Sequence, residues 1–323
     1  MRLATAFLAV LALALGAAPP ATAQAWPDKP VRLVVPYPPG GNVDTAARLV
    51  APGLTQAFGQ PFIIENKAGA GGMIAGEFVA KSAPDGYTFF FTANGPLLFS
   101  PLIFGRSPYQ WDRSFVAISS VSFTPLVLQV YPSVPAKSLV ELIALAKKEP
   151  GKLTMASPGA GTTNHLVSEL LQTATGASWT TVHYKGNAPA TTDLLAGRVD
   201  FNFDQVSVSL PFIKQGKVRA LAVTSVKRVP SLPDVPTFDE AGLKGMDAAT
   251  FTGILAPAGT PKEVLVRVSA ALSKVLQDKG VIEKFDAMGA EARGTSPEEF
   301  QAYLQREYDK WAPVIKRANI KAD

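Results

Sequence analysis

The chain has 323 residues, of which 47% are hydrophobic, and a formal net charge of +5 at pH 7. It contains no cysteine, which excludes disulfides, thiolate metal ligands, cysteine nucleophiles and a lipid anchor on an N-terminal cysteine. Its basic residues are interspersed with acidic ones, without the basic runs typical of nucleic-acid binding. The small positive excess favours anionic ligands weakly.

The first 25 residues have the pattern of a secretory signal peptide. Arg2 is followed by an apolar stretch and then by small residues, and A-x-A patterns predict cleavage after Ala23 or Ala25. The apolar stretch is too short to span a membrane. We therefore expect an exported protein that starts near Trp26 and is large enough for two domains.

Strand-like and helix-like segments alternate along the rest of the chain. Apolar runs such as VRLVVPY, PFIIEN, YTFFFTA, KLTMAS and WTTVHY predict strands. Helical spacing follows in DTAARLVAPGLTQAF, MIAGEFVAKSA, SLVELIALAKKEP and NHLVSELLQTATG, and two further helices are predicted to begin at TPKEV and SPEEF. This alternation predicts βαβ units and mainly parallel sheets, which is an α/β fold.

Two local signals refine these helices. Pro52 lies inside the first predicted helix, where it must kink the helix or end it early, and we expect a kink. Ser138 and Glu141 form an S-x-x-E capping box at the start of another helix. Because no linker divides the chain, we expect it to cross between two domains along strands, twice.

Three glycine-rich turns join a predicted strand to a predicted helix, at Pro36–Asp44, Glu65–Glu77 and Ala156–Leu166. None matches the phosphate-binding or dinucleotide-binding signatures, so ATP and NAD are not expected. The N–H groups at a helix N-terminus have no partner within the helix and can hold a carboxylate or a phosphate. The turns could equally be plain connections in which the hydroxyls cap helices, and the residues alone leave both interpretations open.

Patterns for catalysis and metal binding are missing. His165 and His183 are the only histidines, too few for a three-histidine zinc site, and neither H-E-x-x-H nor G-x-S-x-G occurs. His165 is expected to pack or cap within a helix, whereas His183 ends a strand, near a cleft or bonded to backbone. Asp204 follows an apolar run, where it would accept from a ligand or cap the next helix. We expect no catalytic residue, no metal and no cofactor.

Five sequence blocks carry a family resemblance: WPDKPVRLVVPYPPGGNVDTAARLVA, ENKAGAGGMIAGEFVAKSAPDGYTF, HYKGNAPATTDLLAGRVDFNFD, KVRALAVTSVKRVPSLPDVPTFDEAG and ILAPAGTPKEVL. In this order they resemble the extracytoplasmic solute receptors of tripartite tricarboxylate transport systems, often called Bug proteins. The resemblance covers about residues 26–320, which is nearly the whole expected mature chain.

The resemblance implies a type II-like periplasmic binding protein, in which a two-stranded hinge joins two α/β domains and the ligand cleft lies between them. Domain 1 would comprise residues 26–123 and 250–323, and domain 2 would comprise residues 124–249. Such a receptor is a periplasmic monomer that captures a small carboxylate (a di- or tricarboxylate, an acidic amino acid or an aromatic acid) for membrane transporter subunits. The alternatives are a ligand sensor for a signalling partner, or a periplasmic enzyme that uses His183 or Asp204 as its base.

The resemblance also implies which residues bind the ligand. One wall of the cleft would be formed by Tyr37, Gly40, Gly41 and Asn42. The other wall would be formed by Ser157, Gly161, Thr162 and Thr163, with Asn94 and Asp204 at the edges.

Three further residues are expected near the edge of the ligand site. Asp44 would order the first helix rather than touch the ligand. His183 stands where the family usually has proline, and it would add a donor to the pocket or only replace a turn residue. The apolar run TANGPLLFSP, with Tyr37 and Phe123 nearby, suggests tolerance of aromatic or less polar carboxylates.

Overall fold

A computed structural model describes residues 26–105, 107–317 and 319–321, so the predicted signal peptide lies outside the described residues. The strands are β1 Val31–Val35, β2 Phe62–Asn66, β3 Thr88–Ala93, β4 Phe115–Val130, β5 Thr154–Ser157, β6 Thr180–His183, β7 Phe201–Gln205, β8 Arg219–Val223, β9 Ala249–Pro257 and β10 Glu291–Ala292. The α-helices are α1 Asn42–Phe58, α2 Met73–Ala80, α3 Ser100–Ile103, α4 Trp111–Ser114, α5 Leu139–Lys148, α6 Thr163–Thr175, α7 Asn187–Leu195, α8 Val206–Lys214, α9 Lys262–Gln277, α10 Lys279–Ala287 and α11 Pro297–Arg317.

The strands form two sheets that share β4. In the first sheet β1 pairs in parallel with β2 and β3, and β3 pairs antiparallel with β9. In the second sheet β5 pairs in parallel with β6 and β7. The long strand β4 pairs with β9 from Phe115 to Pro125 and with β7 from Leu126 to Val130. It therefore leaves one sheet and enters the other between Pro125 and Leu126, which gives the two-domain α/β architecture expected from the sequence.

The chain crosses between the two sheets at two adjacent places. β4 crosses at Pro125 and Leu126, and the chain returns through Ala248 into β9, whose first residue pairs with Pro125. Thr224 connects both crossings, because its Oγ1 accepts from Leu126 N at 2.9 Å and donates to Ala248 O at 2.6 Å. The domain boundaries expected from the sequence, at residues 123/124 and 249/250, lie within two residues of these crossings. We propose them as the boundaries of the two domains.

Helices α1 and α9 cover one face of the first sheet, and α2 covers the other face. Val50 of α1 and Val268 of α9 are fully buried in one cluster with Leu33 and Phe91 of the sheet. α1 continues through the exposed Pro52 to Phe58, which rules out the alternative of an early end. Burial of its apolar face compensates for the hydrogen bond that the proline removes.

The predicted capping box is present in a slightly shifted form. Glu141 N donates to Ser138 Oγ at 3.2 Å, and the Glu141 carboxylate accepts from Lys137 N at 2.7 Å. Among the helices of the described residues, none combines the length and apolar character that crossing a bilayer requires.

Candidate functional site

The two domains meet where β1, β3, β5 and β7 end, and they enclose a cavity of about 20 Å³. This volume admits about one water molecule. From the first domain and β9, the cavity is lined by Tyr37, Asn42, Val43, Ala93, Gly95 and Thr250. From the second domain, it is lined by Pro158, Thr162, Thr163, Asn164, Asn187 and Gln205.

Asp44 orders the first glycine-rich turn from behind. Its carboxylate accepts from Gly40 N at 2.9 Å, from Arg48 Nε at 2.8 Å and from Asn66 Nδ2 at 2.9 Å. Asn66 also donates to the Tyr37 carbonyl at 2.8 Å. Burial raises the pKa of Asp44, but the bonds from Arg48, Gly40 and Asn66 together hold it below its usual value. Asp44 therefore stays ionised and fixes the turn without lining the cavity.

Asn42 lines the cavity and carries an unpaired donor. Its Oδ1 accepts from Thr124 Oγ1 at 3.2 Å and from Ser207 Oγ at 2.7 Å, whereas its buried Nδ2 has no partner. The N–H groups in the first turn of α1 have no intrahelical partner, and no side chain caps the helix at Gly41. A buried amide donor beside a helix N-terminus favours an anion.

His165 organises the opposite turn. Its Nδ1 accepts from Gly161 N at 3.2 Å, and its own N–H donates to Thr162 Oγ1, the N-cap of α6, at 3.3 Å. Burial, and then the neighbouring His183, lower the pKa of His165 to about 3. The His165 imidazole is therefore neutral at ordinary pH, as a ring nitrogen that accepts a hydrogen bond must be. Ser157 is bonded within the same turn, where its hydroxyl donates to Gly159 O at 3.0 Å.

A third helix N-terminus, that of α7, meets the cavity, and its residues were not predicted from the sequence. Asn187 Nδ2 donates to Gln205 Oε1 at 2.7 Å. Gln205 Nε2 donates to Asn164 Oδ1 at 3.0 Å and to Thr250 Oγ1 at 2.8 Å. This amide network links the second domain to β9. Its sequence signals were Gly186 before a helix and a polar residue at the end of β7, and both are too common to be diagnostic.

Asp204 lies behind this network. Its carboxylate accepts from Asn187 Nδ2, from Thr191 Oγ1 at 3.0 Å and from Gln205 N at 2.9 Å. Burial raises its pKa to about 7, although the bonds from Thr191, Asn187 and Gln205 oppose the rise. The residue is fully buried and does not line the cavity, so it positions Asn187 rather than facing a ligand.

Three other residues expected at the edge of the site also point elsewhere. Asn94 Oδ1 accepts from Phe251 N at 2.9 Å, and its Nδ2 donates to Glu307 Oε2 at 3.0 Å. The Phe123 ring packs against Arg293, 3.8 Å away, on the other face of β4. His183 is exposed, and its ring lies 4.7 Å from that of His165. None of these side chains lines the cavity.

Glycines allow the domains to touch across the cleft. A Cβ at Gly95 would lie 2.8 Å from Gly161 O and 3.0 Å from the Tyr37 hydroxyl, and a Cβ at Gly41 would lie 2.9 Å from Asn187 Oδ1. These separations are too short for a methyl group. The predicted glycines of both walls, Gly41 and Gly161, therefore belong to the contact between domains.

Helix N-termini that converge on a cleft between two α/β domains define the class of this protein, a solute-binding protein. The chain belongs to the tripartite tricarboxylate transporter family of receptors, whose model matches residues 46–320. The family resemblance of the sequence blocks is thereby confirmed.

Known relatives cover almost the entire chain. BugT of Bordetella pertussis is 36% identical over 321 residues, which are 98% of each chain. Among solved structures, Rpa4515 of R. palustris with adipate has a TM-score of 0.89 and 37% identity, over 92% of this chain and 99% of its own. MatC of Rhodopseudomonas palustris with bound malate has a TM-score of 0.85 and 32% identity, over 90% of this chain and all of its own. These structures confirm the two-domain periplasmic-binding-protein fold.

Proposed function

We propose that this protein is a periplasmic receptor that captures a small dicarboxylate between its domains and delivers it to the membrane subunits of a tripartite transporter. The observation that carries the proposal is the Asn42 amide, buried in the cleft with its Nδ2 unpaired. An unpaired buried donor costs about 1–3 kcal/mol, which a bound carboxylate would recover.

The two walls suit the two ends of a dicarboxylate. One carboxylate would accept from Asn42 Nδ2 and the first-turn N–H groups of α1. The other would accept from the N–H group and hydroxyl of Thr163, the first residue of α6, because both donors of Thr162 are already bonded to Gly159 O. Each helix dipole contributes about 0.3–2 kcal/mol to holding a negative charge. The relatives solved with adipate and with malate each hold a dicarboxylate, which supports this class of ligand.

Ligand entry requires the domains to separate. The cavity of about 20 Å³ is far smaller than a dicarboxylate, and its walls touch at Gly95 and Gly161. Rotation about the paired crossings at Pro125 and Ala248 would open the cleft, and closure would bring the helix N-termini onto the ligand.

The proposal is tested by calorimetric titration of the refolded mature protein with adipate, malate, citrate and adipamide. We expect a dicarboxylate to bind and adipamide, which has the same carbon chain without charge, not to bind. Asn42→Asp keeps an acceptor for Thr124 and Ser207 but places a negative charge in the cleft, and it should weaken dicarboxylate binding at least a hundredfold.

Gln56→Glu is the matched control, because it makes the same charge change at an exposed position of α1. It should leave the affinity unchanged. Binding of adipamide as tight as that of adipate, or full affinity in Asn42→Asp, would contradict the proposal. Delivery is tested separately by uptake of the labelled dicarboxylate in cells with and without the receptor.

A further inference from the structure

A second, larger cavity lies behind the crossing strands. Side chains alternate along a strand, and Thr124 of β4 and Thr250 of β9 face the ligand cleft, where they bond Asn42 and Gln205. The neighbouring Phe123, Pro125 and Ala249 consequently face the opposite side and line this rear cavity of about 570 Å³. The two cavities thus lie on opposite faces of the paired strands at the hinge.

Both domains contribute walls to the rear cavity. One wall is the segment 225–231, which follows β8 in the second domain, and the other is the segment 286–291, which runs from the end of α10 into β10 of the first domain. The two walls touch where Ser231 meets Gly289, because a Cβ at Gly289 would lie 2.9 Å from Ser231 Oγ. The shape of the cavity therefore depends on the angle between the domains.

The wall of the rear cavity also contains unmet hydrogen-bonding capacity. The hydroxyl oxygens of Ser225 and Ser231 are buried and have no partner, although both residues line the cavity. A rotation about χ1 turns a serine hydroxyl to a new partner, and a buried unpaired hydroxyl gains free energy when it finds one. Two such serines on one wall point to an occupant with a polar group.

The remaining lining indicates the chemistry of the occupant. Most of the wall is apolar, with Phe123, Pro125 and Val229 among its residues. Charges of both signs line it as well, for example Lys227 and Asp286, so neither anions nor cations are selected. A cavity of several hundred Å³ with apolar walls and a few polar groups has the properties of a small-molecule site.

We propose that the rear cavity is a second binding site, for a small neutral molecule with an apolar ring and one hydrogen-bonding group, and that its occupancy favours the closed cleft. The cleft and the rear cavity lie on opposite sides of one hinge, so a rotation that widens the cleft narrows the rear cavity. An occupant of the rear cavity resists that rotation and shifts the equilibrium toward the closed arrangement. Only this coupling rests on the proposed function; binding in the rear cavity does not.

The first experiment measures binding of acetanilide, a neutral aromatic amide, to the mature protein without any carboxylate. We expect saturable binding with a dissociation constant in the millimolar range or below. Val226 lines the cavity and is 70% exposed, so Val226→Trp should fill the mouth of the cavity without disturbing the fold, and should abolish binding. Val140→Trp, at a 63% exposed valine on α5, is the matched control and should bind acetanilide normally.

Ser231→Ala, which removes one unpaired hydroxyl, should weaken acetanilide binding severalfold. Absence of saturable binding to the wild type, or unchanged binding in Val226→Trp, would overturn the proposed site. In a second titration, saturating acetanilide should tighten dicarboxylate binding about three- to tenfold. Acetanilide binding with no change in dicarboxylate affinity would overturn the coupling, whereas failure of every dicarboxylate would overturn the proposed function and leave the rear site standing.

Discussion

The backbone N–H of Gly161 donates to Nδ1 of His165 at 3.2 Å, and this bond ties the turn before α6 to the first turn of that helix. His165 does not line the cavity, but Thr162 and Thr163, which it holds in place, do. It is therefore a positioning residue for one wall of the cleft.

Replacement of His165 by phenylalanine should weaken dicarboxylate binding about tenfold, because a buried unpaired N–H costs about 1–3 kcal/mol and the turn would shift to avoid that cost. His165→Asn offers a carbonyl oxygen near the position of Nδ1 and should restore part of the affinity. His183→Phe, at the adjacent exposed ring, is the control and should bind nearly as the wild type does. Calorimetry on the three variants makes the comparison, and equal affinity in His165→Phe and His165→Asn would contradict a positioning role.

Gly95→Ala should weaken dicarboxylate binding at least tenfold with little loss of stability. Its methyl group would lie 2.8 Å from Gly161 O and so would hold the domains apart. Gly216→Ala is the counterpart, because Gly216 has a φ of 68° but open space around it. That variant should lose about 1 kcal/mol of stability and keep its affinity. Thermal denaturation and calorimetry separate the two effects, and normal binding by Gly95→Ala would show that closure does not need this contact.

Asp44→Ala should lower the free energy of unfolding by about 2–3 kcal/mol, because Gly40 N and Asn66 Nδ2 would lose a buried partner. The Asp44 side chain is 2% exposed, and its partner Arg48 lies one turn later. Glu77→Ala removes an ion pair of the same spacing, with Lys81, in which the carboxylate is 43% exposed. That control should cost about 0.5 kcal/mol or less. Urea denaturation measures both, and similar losses would show that the turn does not depend on Asp44.

The free energy of unfolding should depend on pH through two buried groups whose contributions change in opposite directions. The folded protein binds a proton on Asp204 more tightly than the unfolded chain does, because the pKa is about 7 in the folded state against an ordinary 3.8. The free energy of unfolding contributed by Asp204 therefore falls as the pH rises from about 4 to about 7. The folded protein disfavours protonated His165, with a pKa of about 3 against 6.5, so the free energy of unfolding rises between about pH 3 and 6.5.

The two contributions offset one another in the wild type. Asp204→Asn should therefore show stability that increases with pH more steeply than in the wild type, and His165→Phe should show the reverse. Each slope should change by at most about 1.4 kcal/mol per pH unit. Urea denaturation at a series of pH values tests this, and parallel curves for the three proteins would contradict it.

Sequence reasoning succeeded where local chemistry decides the structure. Proline and glycine after an apolar run predicted the strand–turn–helix segments that carry Asn42 and Thr162, because helix N-termini are set by nearby residues. It could not assign sides to Phe123 and Thr124, because β4 is buried on both faces and shows no alternation of polar and apolar residues. Shifting the strand by one residue would exchange the cleft side with the rear side.

Asn187 and Gln205 were missed for a related reason. They reach the cavity only because α7 and β7 from the second domain close on α1 of the first, a long-range arrangement that no local pattern encodes. Asp204 was placed correctly at the end of a strand. Its carboxylate is buried and bonded to Asn187 and Thr191 because α7 packs over β7, and local sequence does not predict that packing.

The polar groups in the wall of the cleft are amides, hydroxyls, a phenol and backbone N–H groups, and no lysine or arginine is among the described residues that line it. A dianion held there would be stabilised by dipoles alone, so none of its charge would be neutralised. The loaded receptor would then differ from the empty one by two full negative charges enclosed between the domains. The electrostatic potential at the rim of the cleft, within about 8 Å of the ligand at physiological ionic strength, would therefore differ between the two states even without a change in shape.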